Sequence, residues 1–203
     1  MQSDTLLFYR SMEQKIRTII FGGSFDPIHV GHTALAAEAL RQNLADEVWF
    51  MVSPLNPHKQ GQQLTHEEQR LEMVQLAIED EPRFKASDFE FTLPRPSYTL
   101  HTLQALEAAY PEREFLLLIG ADNWEKFDRW YRGDLILECY PIIVYPRGNE
   151  QQPLLPQGVK WLASELYDIS STQIRELVAS GADIQGSVSQ KVSEYINKNR
   201  LYK

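Results

Sequence analysis

A single cysteine, Cys139, is the only thiol in this chain of 203 residues, so no intramolecular disulfide can staple the fold and a packed core must hold it. So little thiol fits a reducing cytoplasm, and Cys139 itself reads as core packing. Long apolar runs are missing too. The longest, Thr18 to Phe21, Val48 to Val52, Phe115 to Ile119 and Ile142 to Tyr145, fall far short of the roughly 20 residues that a helical membrane span needs, so no membrane partner is expected. The first residues place Leu6-Leu7-Phe8 beside Asp4 with no basic leader, which does not read as an export signal. Cationic side chains are scarce: 20 Lys and Arg stand against 28 Asp and Glu, a formal net charge of −8. Counterion release from nucleic acid or anionic lipid requires clustered lysine and arginine, so no nucleic-acid partner is expected either. A small anionic ligand stays compatible with this balance wherever glycine turns or helix starts make the surface locally positive.

What the chain does have is 43% hydrophobic residues, enough at this length for one substantial core. Residues 1–203 are expected to form a single domain, with 1–14 a loose N-terminal extension ahead of the first strand. Neither a repeat, a low-complexity tract nor a linker divides it. Apolar runs over Lys15–Phe21, Val48–Val52, Glu114–Ile119, Ile142–Tyr145 and Val159–Leu162 read as strands buried on both faces, and Phe84–Phe91 as a shorter one. Helical patterns lie between them over Gly31–Asn43, after Thr65 as a cap paired with Glu68, and over Tyr98–Tyr110; the end of the chain is mainly helical. Strands alternating with helices predict an α/β fold, a doubly wound parallel sheet with its ligand at the carboxyl ends of the strands.

Several motifs fall at those strand ends. Gly22-Gly23-Ser24-Phe25-Asp26-Pro27-Ile28-His29-Val30-Gly31-His32 follows the first strand: its glycines suit a tight turn and close approach of a ligand to the backbone, and His29 and His32, three apart near a helix start, share one side. Ile169-Ser170-Ser171-Thr172-Gln173-Ile174-Arg175 contains a capping box, Ser170 with Gln173, whose helix N-terminus offers N–H groups, hydroxyls and Arg175 to an anion. Taken singly, the first motif suits an ordinary turn and the second an ordinary cap. Lys59, in Ser53-Pro54-Leu55-Asn56-Pro57-His58-Lys59, can neutralise phosphate. Pro96-Ser97-Tyr98-Thr99 opens a helix; Gly120-Ala121-Asp122-Asn123 forms a turn after a strand, followed by Trp124, read as packing, and by Trp130-Tyr131; Pro146-Arg147-Gly148 follows another strand.

Together these residues resemble the nucleotidylyltransferase superfamily, whose signatures couple a glycine turn and His-x-Gly-His to Ile-Ser-Ser-Thr-x-Ile-Arg. The form of the first signature is similar to that of the bacterial nicotinate-nucleotide adenylyltransferases. That resemblance implies a Rossmann-like nucleotidylyltransferase fold and adenylyl transfer from ATP to nicotinate mononucleotide, giving deamido-NAD and pyrophosphate by in-line displacement. It makes His29, His32 and Arg175 catalytic, and assigns Gly22, Gly23, Ser24, Phe25, Lys59, Arg147, Ser170, Ser171 and Thr172 to ATP and its phosphates. Tyr98, Thr99, Asp122 and Trp130 would hold nicotinate mononucleotide, the backbone near Tyr98 and Thr99 receiving the carboxylate and Trp130 stacking on the pyridine. Mg²⁺ would come bound mainly to ATP phosphates, with no metal site of the protein's own. Three positions depart from the pattern: Asn56 replaces a proline, His101 an aspartate, and Pro146-Arg147-Gly148 the usual Arg-Pro-Gly order. The competing expectations are transfer to nicotinamide mononucleotide or phosphopantetheine, and a nucleotide-binding sensor without turnover.

Overall fold

Alternation of side chains along the strands divides the interior into two layers. The computed structural model describes residues 15–54, 64–147, 152–165, 167 and 169–203; the expected extension at 1–14, Lys59 and Gly148 lie outside them. Six strands, β1 (Ile16–Gly23), β2 (Glu47–Val52), β3 (Phe84–Ser87), β4 (Arg113–Gly120), β5 (Ile142–Tyr145) and β6 (Val159–Trp161), form one sheet in the order β3-β2-β1-β4-β5-β6. Every pairing is parallel. Helices α1 (Val30–Arg41), α2 (Glu67–Ile78), α3 (Thr99–Ala109), α4 (Ala121–Trp124), α5 (Gly133–Cys139), α6 (Ser171–Ala179) and α7 (Gln190–Lys198), with 3-10 turns at Phe89–Thr92 and Phe127–Arg129, complete the described elements.

Ile19, Phe21, Phe50, Leu118 and Tyr145 point to one face, where they meet Leu35 and Ala39 of α1, Met73 and Val74 of α2, Ile174 of α6 and Ile196 of α7. Ile20, Trp49, Met51, Leu117 and Val144 point to the other, against Leu103 and Leu106 of α3 and Ile136 of α5. The doubly wound sheet expected from the sequence is therefore present. Its order reverses between β1 and β4, whose neighbouring carboxyl ends open the crevice where such sheets bind ligands. Charges occupy the opposite end: Arg113 pairs with Glu47, which also accepts from Thr18 Oγ1 at 2.7 Å.

Four local expectations are corrected. Thr65 does not cap α2; His66 is the N-cap, because the Thr65 backbone is engaged elsewhere, its N–H with Asp26 Oδ2 at 3.3 Å and its carbonyl with Arg70 Nε at 2.9 Å. The Phe84–Phe91 strand stops at Ser87, whose hydroxyl accepts the Phe89 N–H and starts a 3-10 turn. The turn at Gly120–Asn123 is the N-cap and first residues of α4. Cys139 is exposed, since it ends the short α5 just where Tyr140 takes the core position and donates its hydroxyl to Glu107 at 2.7 Å. Among the described residues no helix is long and apolar enough to cross a membrane.

Candidate active site

The chain leaves β1 through Ser24 to Ile28. Here the expected glycine turn is also corrected: Gly22 and Gly23 are the last residues of β1, and the left-handed residue is Phe25, φ 49°. A Cβ on Gly23 would lie 2.9 Å from the Phe25 ring, so this glycine lets Phe25 fold back onto its own strand. Burying that ring among Phe21, Phe50 and His32 offsets a left-handed backbone that costs about 1–2 kcal/mol. Gly22 has open space where its Cβ would be, which leaves this part of the sheet end accessible.

His29 is the N-cap of α1 and His32 stands three residues on. The His29 N–H donates to His32 Nδ1 at 3.2 Å, and the rings stack with centroids 3.6 Å apart. With Nδ1 accepting, the neutral His32 ring carries its proton on Nε2 and keeps a donor there. Burial, and then the nearby Arg147 guanidinium, lower the His29 pKa to about 4. Its Nδ1 is buried without a hydrogen-bond partner among the described residues. A polyphosphate beside it would favour the charged ring, reversing the second of those causes. Gly31 is closely surrounded: a Cβ there would come within 3.1 Å of both His29 Nδ1 and Tyr167 Cβ, so one of them would have to give way.

The second motif closes on the first. Ser170 caps α6, its Oγ accepting the Gln173 N–H at 3.3 Å; the predicted capping box is only half formed, because Gln173 Oε1 accepts the Ser170 hydroxyl at 2.8 Å instead of the Ser170 N–H. Ser171 Oγ donates to the Pro27 carbonyl at 2.9 Å, and Arg175 Nη1 to the Asp26 carbonyl at 2.7 Å. Arg175 Nη2 also reaches Thr172 Oγ1 at 3.2 Å. Two segments about 145 positions apart thus present two imidazoles, a guanidinium and a helix N-terminus together. From β4 and β5 come Asp122 and Arg147, paired at 3.5 Å above Gly120, and Arg147 also donates to the Tyr145 hydroxyl at 3.3 Å.

The remaining predicted residues form a second cluster. Thr99 opens α3 behind Tyr98, an N-cap whose side chain makes no capping bond, and the first turn holds no acidic residue; its N–H groups suit an anion. Tyr98 packs at 4.8 Å on Tyr131 rather than on Trp130, with His101 edge-on to both tyrosines. Trp130 is half-buried against Phe127, itself stacked on Trp124. Sequence reasoning missed Tyr131, 49% exposed, and Glu90, whose carboxylate accepts from Ser97 Oγ at 3.1 Å and Thr102 Oγ1 at 2.9 Å on either side of the α3 start. Burial raises the Glu90 pKa, against the hydrogen bonds from Thr102, Ser97 and Ser53. No spacing rule points to Glu90, because its partners meet it only through the fold; Tyr131 was legible as the neighbour of Trp130.

The chain is similar over most of its length to known proteins. The family model described as cytidylyltransferase-like matches residues 20–177, which runs from β1 through α6 and takes in both motifs. A protein named "Probable nicotinate-nucleotide adenylyltransferase" from Bacteroides thetaiotaomicron is 48% identical over 188 residues, covering 91% of this chain and 92% of its own length. Its namesake from Bacteroides fragilis is 53% identical over 173 residues, with 84% and 86% covered. In three dimensions the Plasmodium falciparum nicotinic acid mononucleotide adenylyltransferase, solved as a complex with NaAD, superposes with a TM-score of 0.74 over 92% of this chain and 97% of its own, at 20% identity. That likeness extends the agreement on the fold beyond what identity alone can trace. With both motifs converging at the switch point of a parallel sheet, the chain belongs to the nicotinate-nucleotide adenylyltransferases of the cytidylyltransferase-like family.

Proposed function

We propose that this chain transfers the adenylyl group of ATP to nicotinate mononucleotide by direct in-line displacement, as a step of NAD biosynthesis in the cytoplasm. A phosphate oxygen of the mononucleotide attacks the α-phosphorus of ATP; the bond from that phosphorus to the bridging oxygen of the β-phosphate breaks, and pyrophosphate leaves with the electron pair. The attacking phosphate is already ionised at neutral pH, so no enzyme nucleophile is required and the protein's task is alignment and charge stabilisation. His29, His32 and Arg175 are the catalytic residues in this reading.

The observation that carries it is the pair of hydrogen bonds from Ser171 and Arg175 to the carbonyls of Pro27 and Asp26, which hold both halves of a phosphate site in place before any ligand arrives. Around them, Gly22, Gly23, Ser24, Phe25, Ser170 and Thr172 line the triphosphate path with backbone and hydroxyl donors and Arg147 supplies further positive charge; Lys59, outside the described residues, is assigned the same task by the resemblance alone. Asp122, Thr99, Tyr98 and Trp130 serve the acceptor. The α3 start favours nicotinate over its amide, since N–H groups without a capping side chain reward a full negative charge. Mg²⁺ accompanies ATP: Asp122 is already paired with Arg147, and a magnesium ion held mainly by phosphate oxygens suits such a site. That ion neutralises part of the phosphate charge.

The test is pyrophosphate release from Mg²⁺-ATP with nicotinate mononucleotide, nicotinamide mononucleotide or phosphopantetheine as acceptor. Marked preference for the first is expected. Equal rates with all three would overturn the assignment of the acceptor.

A further inference from the structure

Asp26 lies within the first motif, is 3% exposed, and takes no direct part in the chemistry above. Its carboxylate is nevertheless fully engaged. Oδ1 accepts the hydroxyl of Tyr202 at 2.7 Å, from 176 positions away, and Oδ2 accepts the Thr65 N–H at 3.3 Å. Its backbone carbonyl is the acceptor for Arg175. One residue therefore joins the loop after β1 to three other segments: the stretch before α2, the helix α6, and the residues following α7.

The same loop is fastened at Ser24, whose carbonyl accepts from Arg70 Nη1 at 2.6 Å. Arg70 is 1% exposed and donates also to the carbonyls of Ser53, Pro54 and Thr65. Burial lowers its pKa, and the Asp26 carboxylate is the largest opposing influence. Residues 24–28 are thus held from outside by buried Arg70 and from within by buried Asp26, both of which bind Thr65. This is where Phe25 lays its ring 5.1 Å from His32, so the position of the loop sets the position of the imidazole.

Tyr202 reaches Asp26 through a strained path. Arg200 and Tyr202 both take left-handed backbone, φ 53° and 63°, a region that disfavours residues with a side chain and recurs where geometry is held for a purpose. Burial, then the Asp26 carboxylate, raise the Tyr202 pKa, so the hydroxyl remains a donor throughout the working pH range.

We propose that Tyr202 is a positioning residue for adenylyl transfer: its hydrogen bond to Asp26 sets the loop that leads into His29 and the first turn of α1, with His32, against the Arg175 guanidinium. Because this bond orders groups that act on the transferring phosphate, its loss lowers kcat and leaves substrate affinity nearly unchanged. The inference rests on the catalytic assignment of His32 and Arg175, and the experiment separates the two.

Steady-state kinetics are compared for the wild type, Tyr202→Phe, Asp26→Asn, the double variant and His32→Ala, each checked for folding by circular dichroism. Tyr202→Phe is expected to lower kcat about tenfold, as expected for a lost hydrogen bond to a charged acceptor, with both KM values within about twofold. In the Asp26→Asn background the same change is expected to have less than half its effect on a logarithmic scale, because the two residues act through one bond. Wild-type kcat in folded Tyr202→Phe, or an equal loss in both backgrounds, overturns the proposal. Should Tyr202→Phe not fold, Asp26→Asn decides: an unchanged kcat overturns the proposal and a fall in kcat at constant KM upholds it. If His32→Ala keeps full activity, the catalytic assignment fails instead.

Discussion

The two halves of the site are built differently. On the phosphate side, loop 24–29 and the start of α6 are locked by direct hydrogen bonds between distant segments, and His32 is 9% exposed. On the acceptor side, Tyr98 and Tyr131 are 36% and 49% exposed, and the α3 start is steadied from behind by Glu90. In the proposed reaction transition-state charge develops at the first region, where fixed donors are most effective because no reorganisation is needed. The second has to admit and release a flat ring, which exposed aromatic faces allow. The hydrogen bonds between distant segments are thus concentrated on the side to which the proposed mechanism assigns the attack on phosphorus.

The largest test of this contrast is His32→Ala, for which kcat is expected to fall by about 10²–10³, roughly 2.7–4 kcal/mol of barrier, in a pyrophosphate-release assay. A variant within a few fold of wild type would remove the phosphate side from the mechanism. Next comes Glu90→Ala, which strands the Ser97 hydroxyl and leaves that of Thr102 only its longer bond to the Tyr98 carbonyl at 3.4 Å. The KM for nicotinate mononucleotide should rise about tenfold while that for ATP stays constant; a rise in both would mean that the two halves are coupled. A smaller effect is expected of Tyr131→Ala: loss of an aromatic pair predicts about a threefold rise in the same KM, with thermal stability unchanged.

The smallest signal is a fraction of a proton. Ligand-free His29, with its pKa lowered to about 4, is neutral from about pH 5 upward, and a bound triphosphate raises that value. Below about pH 6.5 ATP binding should therefore take up protons and tighten as pH falls. Calorimetry in buffers of different ionisation enthalpy reads this uptake. Zero uptake, or release, would place the triphosphate away from His29.

Much of the phosphate side was legible in the residues alone, since His29, His32, the Ser170 cap and Arg175 are arranged by helix periodicity and capping, which are local. The turn was misread for a physical reason: Gly22 and Gly23 supply the residues expected of a turn, yet Phe25 takes the left-handed conformation because its ring has a core to enter. Cys139 and Thr65 were misplaced likewise, each by a tertiary neighbour that propensity does not contain. Glu90 and Tyr202 gave no sequence signal, because a hydrogen bond spanning 12 or 176 positions leaves no periodic trace.

Apolar runs and helix starts were sufficient to predict an α/β sheet from sequence, because they depend on short-range spacing; the family and the chemistry of its ligand followed from the resemblance carried by the motifs. Folding settled which carbonyls Arg175 and Ser171 bind, which aromatic residue faces Tyr98, and how Asp26 gathers four segments. Those contacts join residues that are adjacent only across the crevice between β1 and β4, where the order of the sheet reverses.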